Sequence, residues 1–134
     1  MPESTPSEAE TILVIDDEPL VRRLLSSILT KAGYTVLEGN DAGRALDLCQ
    51  QHLGPIHLLL TDIHMPDMNG RELATRVRAL RPQIQVLYLS SDEAGLPATG
   101  PNSKEDSAFL PKPCSPDALR SKVREVLGSS SQRG

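Results

Sequence analysis

Acidic residues follow directly on two apolar runs of strand length. Leu58 to Thr61 is followed by Asp62, and Ile12 to Ile15 is followed by Asp16 and Asp17. Continuous aliphatic runs are typical of parallel strands buried on both faces, and ligands bind beyond the carboxyl ends of such strands. A carboxylate at such an end can hold a metal ion or act as a nucleophile. Taken alone, Asp62 could equally begin a turn, because Asp is common there.

Two further polar residues follow apolar runs later in the chain. Ser90 comes after the run at 84–89, and Lys112 follows the short run at 108–110. If all these runs are parallel strands, their carboxyl ends lie at one edge of the sheet. Three carboxylates in one cleft repel one another unless a cation holds them, and oxygen ligands suit Mg²⁺. A lysine and a hydroxyl add donors for a phosphoryl group.

The elements that must position these residues are strands alternating with helices. Strands are predicted at 12–15, 34–38, 56–61, 84–89 and 108–110. Helices are predicted between them, ending at Gly33, at Gly54-Pro55, before Pro82 and at Gly128. Segment 94–106 is rich in Gly and Pro and allows only a short or broken helix. This alternation predicts an α/β fold, a doubly wound parallel sheet with helices on both faces.

Length and composition predict one soluble domain. The 134 residues divide into a disordered leader or linker at 1–10, a domain at 11–128 and a polar tail at 129–134. The net charge of -4, without a basic run, argues against direct binding of nucleic acid. No apolar run is long enough to span a membrane, so a cytoplasmic protein without membrane contact is expected. Cys49 is expected to be a small buried hydrophobe.

Four motif elements occur in a fixed order along the chain. They are the acidic pair Asp16-Asp17, the loop Asp62-x-x-Met65-Pro66-x-Met68-x-Gly70, Ser90 followed by a small residue, and Phe109-x-x-Lys112-Pro113. Together they resemble the receiver domain of bacterial two-component response regulators, over about residues 11 to 127. The resemblance implies a flavodoxin-like five-stranded sheet of order 2-1-3-4-5. The chain is most similar to receivers attached to hybrid sensor histidine kinases. We favour this context over that of a free-standing response regulator.

The resemblance implies a role for each site residue. Asp62 is expected to accept a phosphoryl group from a phosphohistidine on a histidine kinase or a histidine phosphotransfer domain. Mg²⁺ is expected to be held by Asp16 or Asp17, by Asp62 and by the backbone carbonyl of His64. Added charge is then expected to shift the partner-binding surface around the fifth strand and its neighbouring helices.

The remaining implied roles belong to the far side of the cleft. Lys112 is expected to pair with the phosphoryl oxygens or with Asp62, after a cis peptide bond between Lys112 and Pro113. Ser90 is expected to move toward the phosphoryl group, and Phe109 matches the aromatic residue that follows this movement. His64 is expected to be a solvated loop side chain, with direct help in hydrolysis as the alternative.

Two other functions compete with this interpretation. A Mg²⁺-dependent phosphohydrolase of the haloacid-dehalogenase type also uses an Asp nucleophile, but places a second Asp where His64 stands here. A receiver that serves only as a non-phosphorylated scaffold is the other alternative. We expect a phosphoacceptor signalling domain and not an enzyme, one that assists only its own phosphorylation and dephosphorylation. No oligomeric state is predicted.

Overall fold

The computed structural model describes residues 10–63, 65, 68–90, 108–111 and 115–133, without the side chains of 90, 108, 111 and 128–133. The strands are β1 (Thr11–Ile15), β2 (Thr35–Gly39), β3 (Leu58–Asp62), β4 (Gln85–Ser90) and β5 (Ala108–Pro111). The helices are α1 (Pro19–Lys31), α2 (Ala42–Gln51), α3 (Gly70–Leu80) and α4 (Pro116–Arg133). The predicted leader, the segment 94–106 and the Lys112-Pro113 peptide bond lie outside the described residues, apart from Glu10.

All five strands are parallel and form one sheet in the order β2-β1-β3-β4-β5. The predicted fold class and strand order are therefore confirmed. The interior strand β1 pairs with both β2 and β3, which are the next two strands along the chain. At the register Ile15↔Thr61, β1 ends just before β3 reaches Asp62. The carboxyl ends of the central strands thus meet at the same edge.

Two apolar layers cover the sheet, one on each face. Alternate strand residues such as Leu13, Leu59 and Tyr88 pack with buried residues of α2 and α3. Their neighbours, such as Val14 and Leu60, pack on the other face with α1 and α4. Because successive side chains of a strand point to opposite faces, a strand buried on both faces must be apolar at every position. The continuous aliphatic runs are explained by this arrangement.

Local signals in the sequence define most helix boundaries. Pro19 is the first residue of α1, a position whose N–H has no partner within the helix, so the N–H that proline lacks is not missed. Gly33 follows the other end of α1 with a φ of 104°, a left-handed conformation that glycine adopts without strain. The side chains of Asp41 and Asn69 cap α2 and α3, each accepting a hydrogen bond from a backbone N–H of the first turn.

Two predicted helix ends are wrong. Helix α2 ends at Gln51 instead of Gly54-Pro55, because His52 is already extended. Leu53, which a helix reaching Gly54 would include, is 91% exposed. Helix α4 continues through Gly128 to Arg133, so most of the predicted polar tail is helical. Extending an existing helix requires no new nucleation, which lets polar residues after a glycine continue it.

Cys49 is buried on the apolar face of α2, as predicted. Burial raises the pKa of the Cys49 thiol, while the nearby Arg81 guanidinium lowers it to a smaller extent. The folded chain therefore keeps a proton that the unfolded chain gives up above about pH 8.5. The contribution of Cys49 to stability is complete below that pH and declines as pH rises toward the raised pKa.

We expect this effect to appear as a loss of unfolding free energy between pH 8 and pH 9.5. Urea unfolding midpoints of the parent and of Cys49→Ala, both carrying Cys114→Ser, measure it across about pH 7 to 9.5. The parent's midpoint is expected to fall more steeply above pH 8.5 than that of Cys49→Ala. Equal slopes in the two proteins would contradict an ionisation of Cys49 as the cause.

Candidate functional site

The candidate site lies at the edge of the sheet where β1, β3 and β4 end. Asp62 is the last residue of β3 and pairs in register with Leu89 of β4. Asp16 follows β1 directly, and its backbone N–H donates to the carbonyl of Gly39 at the end of β2, 3.2 Å away. The sheet therefore fixes the backbone at both Asp16 and Asp62.

The structure brings Asp16, Asp17 and Asp62 together. One carboxylate oxygen from each residue lies within 4.8 Å of the other two. Asp16 is fully buried and Asp62 is 8% exposed, whereas Asp17 faces solvent. Two oxygens that bind one Mg²⁺ at about 2.1 Å are at most about 4.2 Å apart, so small side-chain rotations convert this group into a ligand set. The donor set consists of hard oxygen atoms, as Mg²⁺ requires.

The loop after β1 is held from two sides. One carboxylate oxygen of Asp16, Oδ1, accepts the backbone N–H of Glu18 at 2.9 Å, which fixes the start of α1. Arg22, one turn into α1, donates from Nη1 to the backbone carbonyl of Asp16 at 2.9 Å. Nε of Arg22 also lies 3.3 Å from Oε1 of Glu38 on β2. Arg22 thus connects the acidic loop to the neighbouring strand.

The loop after β3 returns to the backbone of Asp62. The N–H of Gly70, the first residue of α3, donates to the carbonyl of Ile63 at 2.7 Å. A Cβ atom on Gly70 would lie 2.4 Å from the carbonyl oxygen of Asp62 and 2.9 Å from the Cα atom of Ile63. Only glycine allows this close approach of two backbones. The hydroxyl of Thr61 donates to the same Asp62 carbonyl at 3.0 Å.

The far side of the cleft is described only in part. Ser90 ends β4 and pairs in register with Pro111, the last residue of β5, and nothing is described of its side chain. Lys112 follows Pro111 directly in the chain, but Lys112, Pro113 and His64 lie outside the described residues. The predicted roles of Ser90, Lys112, Pro113 and His64 therefore remain predictions.

Phe109, on β5, is half-buried against the apolar layer that includes α3. Its ring stacks on that of Tyr88, with 5.0 Å between centroids and 26° between planes. The guanidinium carbon Cζ of Arg71 lies 5.3 Å from the Phe109 centroid and 5.5 Å from that of Tyr88. Distances under about 6 Å are those at which a cation is attracted to an aromatic ring.

Arg22 and Arg71 are site residues that the sequence did not reveal. Arg22 contacts Asp16, which lies six residues earlier and outside α1, and Glu38 on β2, so helical spacing does not connect it to either partner. The aromatic partners of Arg71 come from two strands distant in sequence.

Comparison with known proteins identifies the family. Residues 12–124 match the response regulator receiver domain. The chain belongs to this receiver family. It is thus a receiver domain of two-component signalling, and the strand order, with the acidic pair early in the chain, agrees with this assignment. The alternative of a haloacid-dehalogenase-type phosphohydrolase is set aside by the same match.

Receiver-containing relatives differ widely in total length. The DNA-binding transcriptional regulator NtrC of Bradyrhizobium sp. (strain RP501 Parasponia) is 33% identical over 93% of this chain, which spans 26% of that protein. A chemotaxis protein CheY homolog of Campylobacter jejuni is 30% identical over 92% of this chain and 96% of its own. The sensor kinase CckA of Brucella abortus (strain 2308) is 31% identical over 90% of this chain, which spans 13% of the kinase.

Solved structures show the same fold. A CheY-like receiver domain protein from Methanospirillum hungatei JF-1 has a TM-score of 0.80 and 26% identity, covering 95% of this chain and all of its own. The receiver domain of the hybrid histidine kinase CckA has a TM-score of 0.74 and 32% identity, covering 87% of this chain and 98% of its own. Within the described part of this receiver, no helix has the length and apolar character needed to cross a membrane.

Proposed function

We propose that this receiver is a phosphoacceptor and that Asp62 is the residue phosphorylated. A carboxylate oxygen of Asp62 attacks the phosphorus of a phosphohistidine on a histidine kinase or phosphotransfer domain. The P–N bond breaks, the imidazole leaves with the electron pair, and an acyl phosphate forms on Asp62. The observation that carries this proposal is the group of three carboxylates, Asp16, Asp17 and Asp62, within 4.8 Å at the carboxyl edge of the sheet.

We assign Mg²⁺ to this group as the cofactor, held by Asp16, Asp17 and Asp62 and by the backbone carbonyl of His64. When bound, Mg²⁺ supplies positive charge that offsets the charge of the incoming phosphoryl group. The burial of Asp16 and Asp62 favours a bound cation, because electrostatic attraction is stronger where water is excluded. Lys112 and Ser90 are proposed to bind the phosphoryl oxygens from the opposite side, with Lys112 aimed by a cis bond to Pro113.

We propose that the partner, a histidine kinase or a histidine phosphotransfer domain, packs beside the acidic loop. Leu20 and Leu24 of α1 are exposed by 83% and 57%, an unusual degree for leucines one turn apart. Pro19 places this apolar pair immediately after the loop that carries Asp16 and Asp17. A partner that buries both leucines brings its phosphohistidine to the mouth of the cleft.

A receiver attached to a hybrid histidine kinase remains our preferred context, with a cytoplasmic location. The irregular composition of segment 94–106 and the likeness to the CckA receiver support this preference. Sequencing the native reading frame upstream of Met1 tests it. A histidine kinase core encoded in that frame is the expected result, and a stop codon directly before Met1 would favour a free-standing receiver.

The phosphoacceptor proposal is tested by intact mass after incubation with acetyl phosphate. We expect the parent to gain one phosphoryl group in the presence of Mg²⁺ and none after Mg²⁺ is removed with a chelator. Asp62→Asn is expected to gain none, because an amide is not a nucleophile of this kind. Asp47→Asn, the same change on an exposed position of α2, is the matched control and is expected to behave as the parent.

Rapid hydrolysis can hide an acyl phosphate, so a second measurement accompanies the first. Beryllofluoride, a stable mimic of the phosphoryl group, is expected to bind the parent with Mg²⁺ and to fail with Asp62→Asn. If the parent gains no phosphoryl group and binds no beryllofluoride, the phosphoacceptor proposal is wrong. The scaffold function then takes its place.

A further inference from the structure

Arg71 makes an unusual contact with two aromatic rings at once. Its guanidinium carbon Cζ lies 5.5 Å from the Tyr88 centroid and 5.3 Å from the Phe109 centroid. The two rings are themselves stacked, 5.0 Å apart. A guanidinium is planar and weakly hydrated, which suits it to lie against aromatic faces. One side chain of α3 therefore contacts β4 and β5 together.

The backbone of Arg71 belongs to the turn that closes the Asp62 loop. Its N–H donates to Oδ1 of Asn69 at 2.7 Å. The preceding residue, Gly70, donates to the carbonyl of Ile63 at 2.7 Å and lies against the carbonyl of Asp62. A displacement of the backbone at Asp62 or Ile63 must therefore move the first turn of α3, and Arg71 moves with it.

Phe109 lies at one edge of the sheet. Within the described residues, its strand β5 is an edge strand that pairs with β4. Its side chain is half-buried, and its ring contacts include Tyr88 and Arg71. Tyr88 and Phe109 are partners in the register of β4 and β5, which places both rings on the face covered by α3.

We propose that Arg71 is a positioning residue that transmits the state of Asp62 to the ring of Phe109. A phosphoryl group on Asp62 shifts the backbone that Gly70 contacts, the first turn of α3 follows, and the guanidinium carries the movement to both rings. Charge added at Asp62 also acts directly on a cation in that turn. This inference rests on the proposed function, because it requires a phosphoryl group or its mimic at Asp62.

The chain offers a clean spectroscopic probe, because Phe109 is its single phenylalanine. Incorporation of 4-fluorophenylalanine gives one ¹⁹F resonance that reports on this ring. The fluorines of bound beryllofluoride give separate resonances in the same spectrum, so occupancy of the site and response of the ring are read together. Parent, Arg71→Gln, Arg71→Lys and Arg76→Gln are compared at equal occupancy with Mg²⁺ and beryllofluoride. Arg76 is the matched control, an exposed arginine of α3 paired with Glu72.

In the parent and in Arg76→Gln, we expect beryllofluoride to shift the Phe109 resonance by the same amount. In Arg71→Gln the shift is expected to fall at least about twofold, because a cation–π contact biases an equilibrium by a factor of about two to five. Arg71→Lys keeps the positive charge but lacks the planar guanidinium, so its shift is expected to lie between those of Arg71→Gln and the parent. If Arg71→Gln does not fold, a reduced shift in Arg71→Lys is the expected result.

Two outcomes overturn the inference and are distinguishable. A full shift in every folded Arg71 variant means that the ring responds by another route, while the phosphoacceptor proposal stands. If the parent shows no bound beryllofluoride resonances and also gains no phosphoryl group from acetyl phosphate, the proposed function is overturned, and the inference fails with it.

Discussion

Substituting Gly70 by alanine is expected to lower the free energy of unfolding by about 3 kcal/mol or more. The new Cβ atom would lie 2.4 Å from the carbonyl oxygen of Asp62 and 2.9 Å from the Cα atom of Ile63. Both are backbone atoms, so no side-chain rotation relieves the contact. Either α3 or the end of β3 must shift, and the hydrogen bond from Gly70 to Ile63 is lost with it. Urea unfolding measures the loss.

Gly43→Ala is the matched control for this experiment. Gly43 is exposed in the first turn of α2, and an added Cβ atom would meet only the Asp41 side chain, at 3.6 Å. Alanine is the better helix former by about 0.5 to 1 kcal/mol, so Gly43→Ala is expected to stabilise the receiver slightly. If Gly70→Ala were as stable as Gly43→Ala, the close approach at Asp62 would not be a constraint on the fold.

Replacing Arg81 by methionine is expected to cost about 2 to 3 kcal/mol of unfolding free energy. The guanidinium donates to three backbone carbonyls at the end of α2 and just beyond it. They belong to Cys49, His52 and Gly54, at distances from 2.6 to 3.1 Å. The last carbonyls of a helix have no partner within the helix, and a cation there also offsets the helix dipole. Methionine keeps the apolar stem but supplies no donor.

Thermal unfolding followed by circular dichroism measures this cost, with Arg76→Met as the control. Arg76 is exposed on α3, the helix that ends just before Arg81, and its pair with Glu72 spans 3.3 Å. Exposed pairs at this spacing contribute about 0.3 to 0.5 kcal/mol, so the control is expected to change little. Equal effects of the two substitutions would mean that the carbonyls at the end of α2 do not depend on Arg81.

The arrangement of the strands could be predicted from the sequence because the strands are buried on both faces. A run such as Ile12 to Ile15 has few alternatives once both of its faces must be apolar. Parallel alternation with helices then brings the residues after these runs to one edge, and the juxtaposition of Asp16, Asp17 and Asp62 follows from topology.

Side-chain partners were much harder to predict. The spacing of Leu20, Leu24 and their apolar neighbours is that of one helix face, and the same spacing puts Ser26 on the polar face. In the structure Leu20 and Leu24 are exposed, while Ser26 is buried. The apolar arc of α1 is wider than the surface it covers, and which part meets the sheet depends on how the helix lies across the strands.

The three arginines Arg22, Arg71 and Arg81 illustrate the same difficulty. Each contacts groups on elements distant in sequence, which are the Glu38 carboxylate for Arg22, two aromatic rings for Arg71 and backbone carbonyls for Arg81. Nothing in residue type distinguishes them from the exposed Arg76, because a guanidinium is found both in water and against carbonyls or aromatic faces. Their partners depend on three-dimensional placement that local patterns do not contain.

The order in which this receiver folds is constrained by the position of β1 between β2 and β3. Thr11 and His57 exchange two hydrogen bonds across 46 residues, one from Thr11 N–H to Nδ1 of His57 and one from His57 N–H to the Thr11 carbonyl. Such contacts form only after the intervening chain has been closed into a loop, which slows folding of parallel sheets. Among the described strands, β5 pairs with β4 and not with β1 or β3, so β5 can separate without breaking a pairing of either of these strands. Local opening at that edge therefore leaves the acidic cleft between β1 and β3 intact.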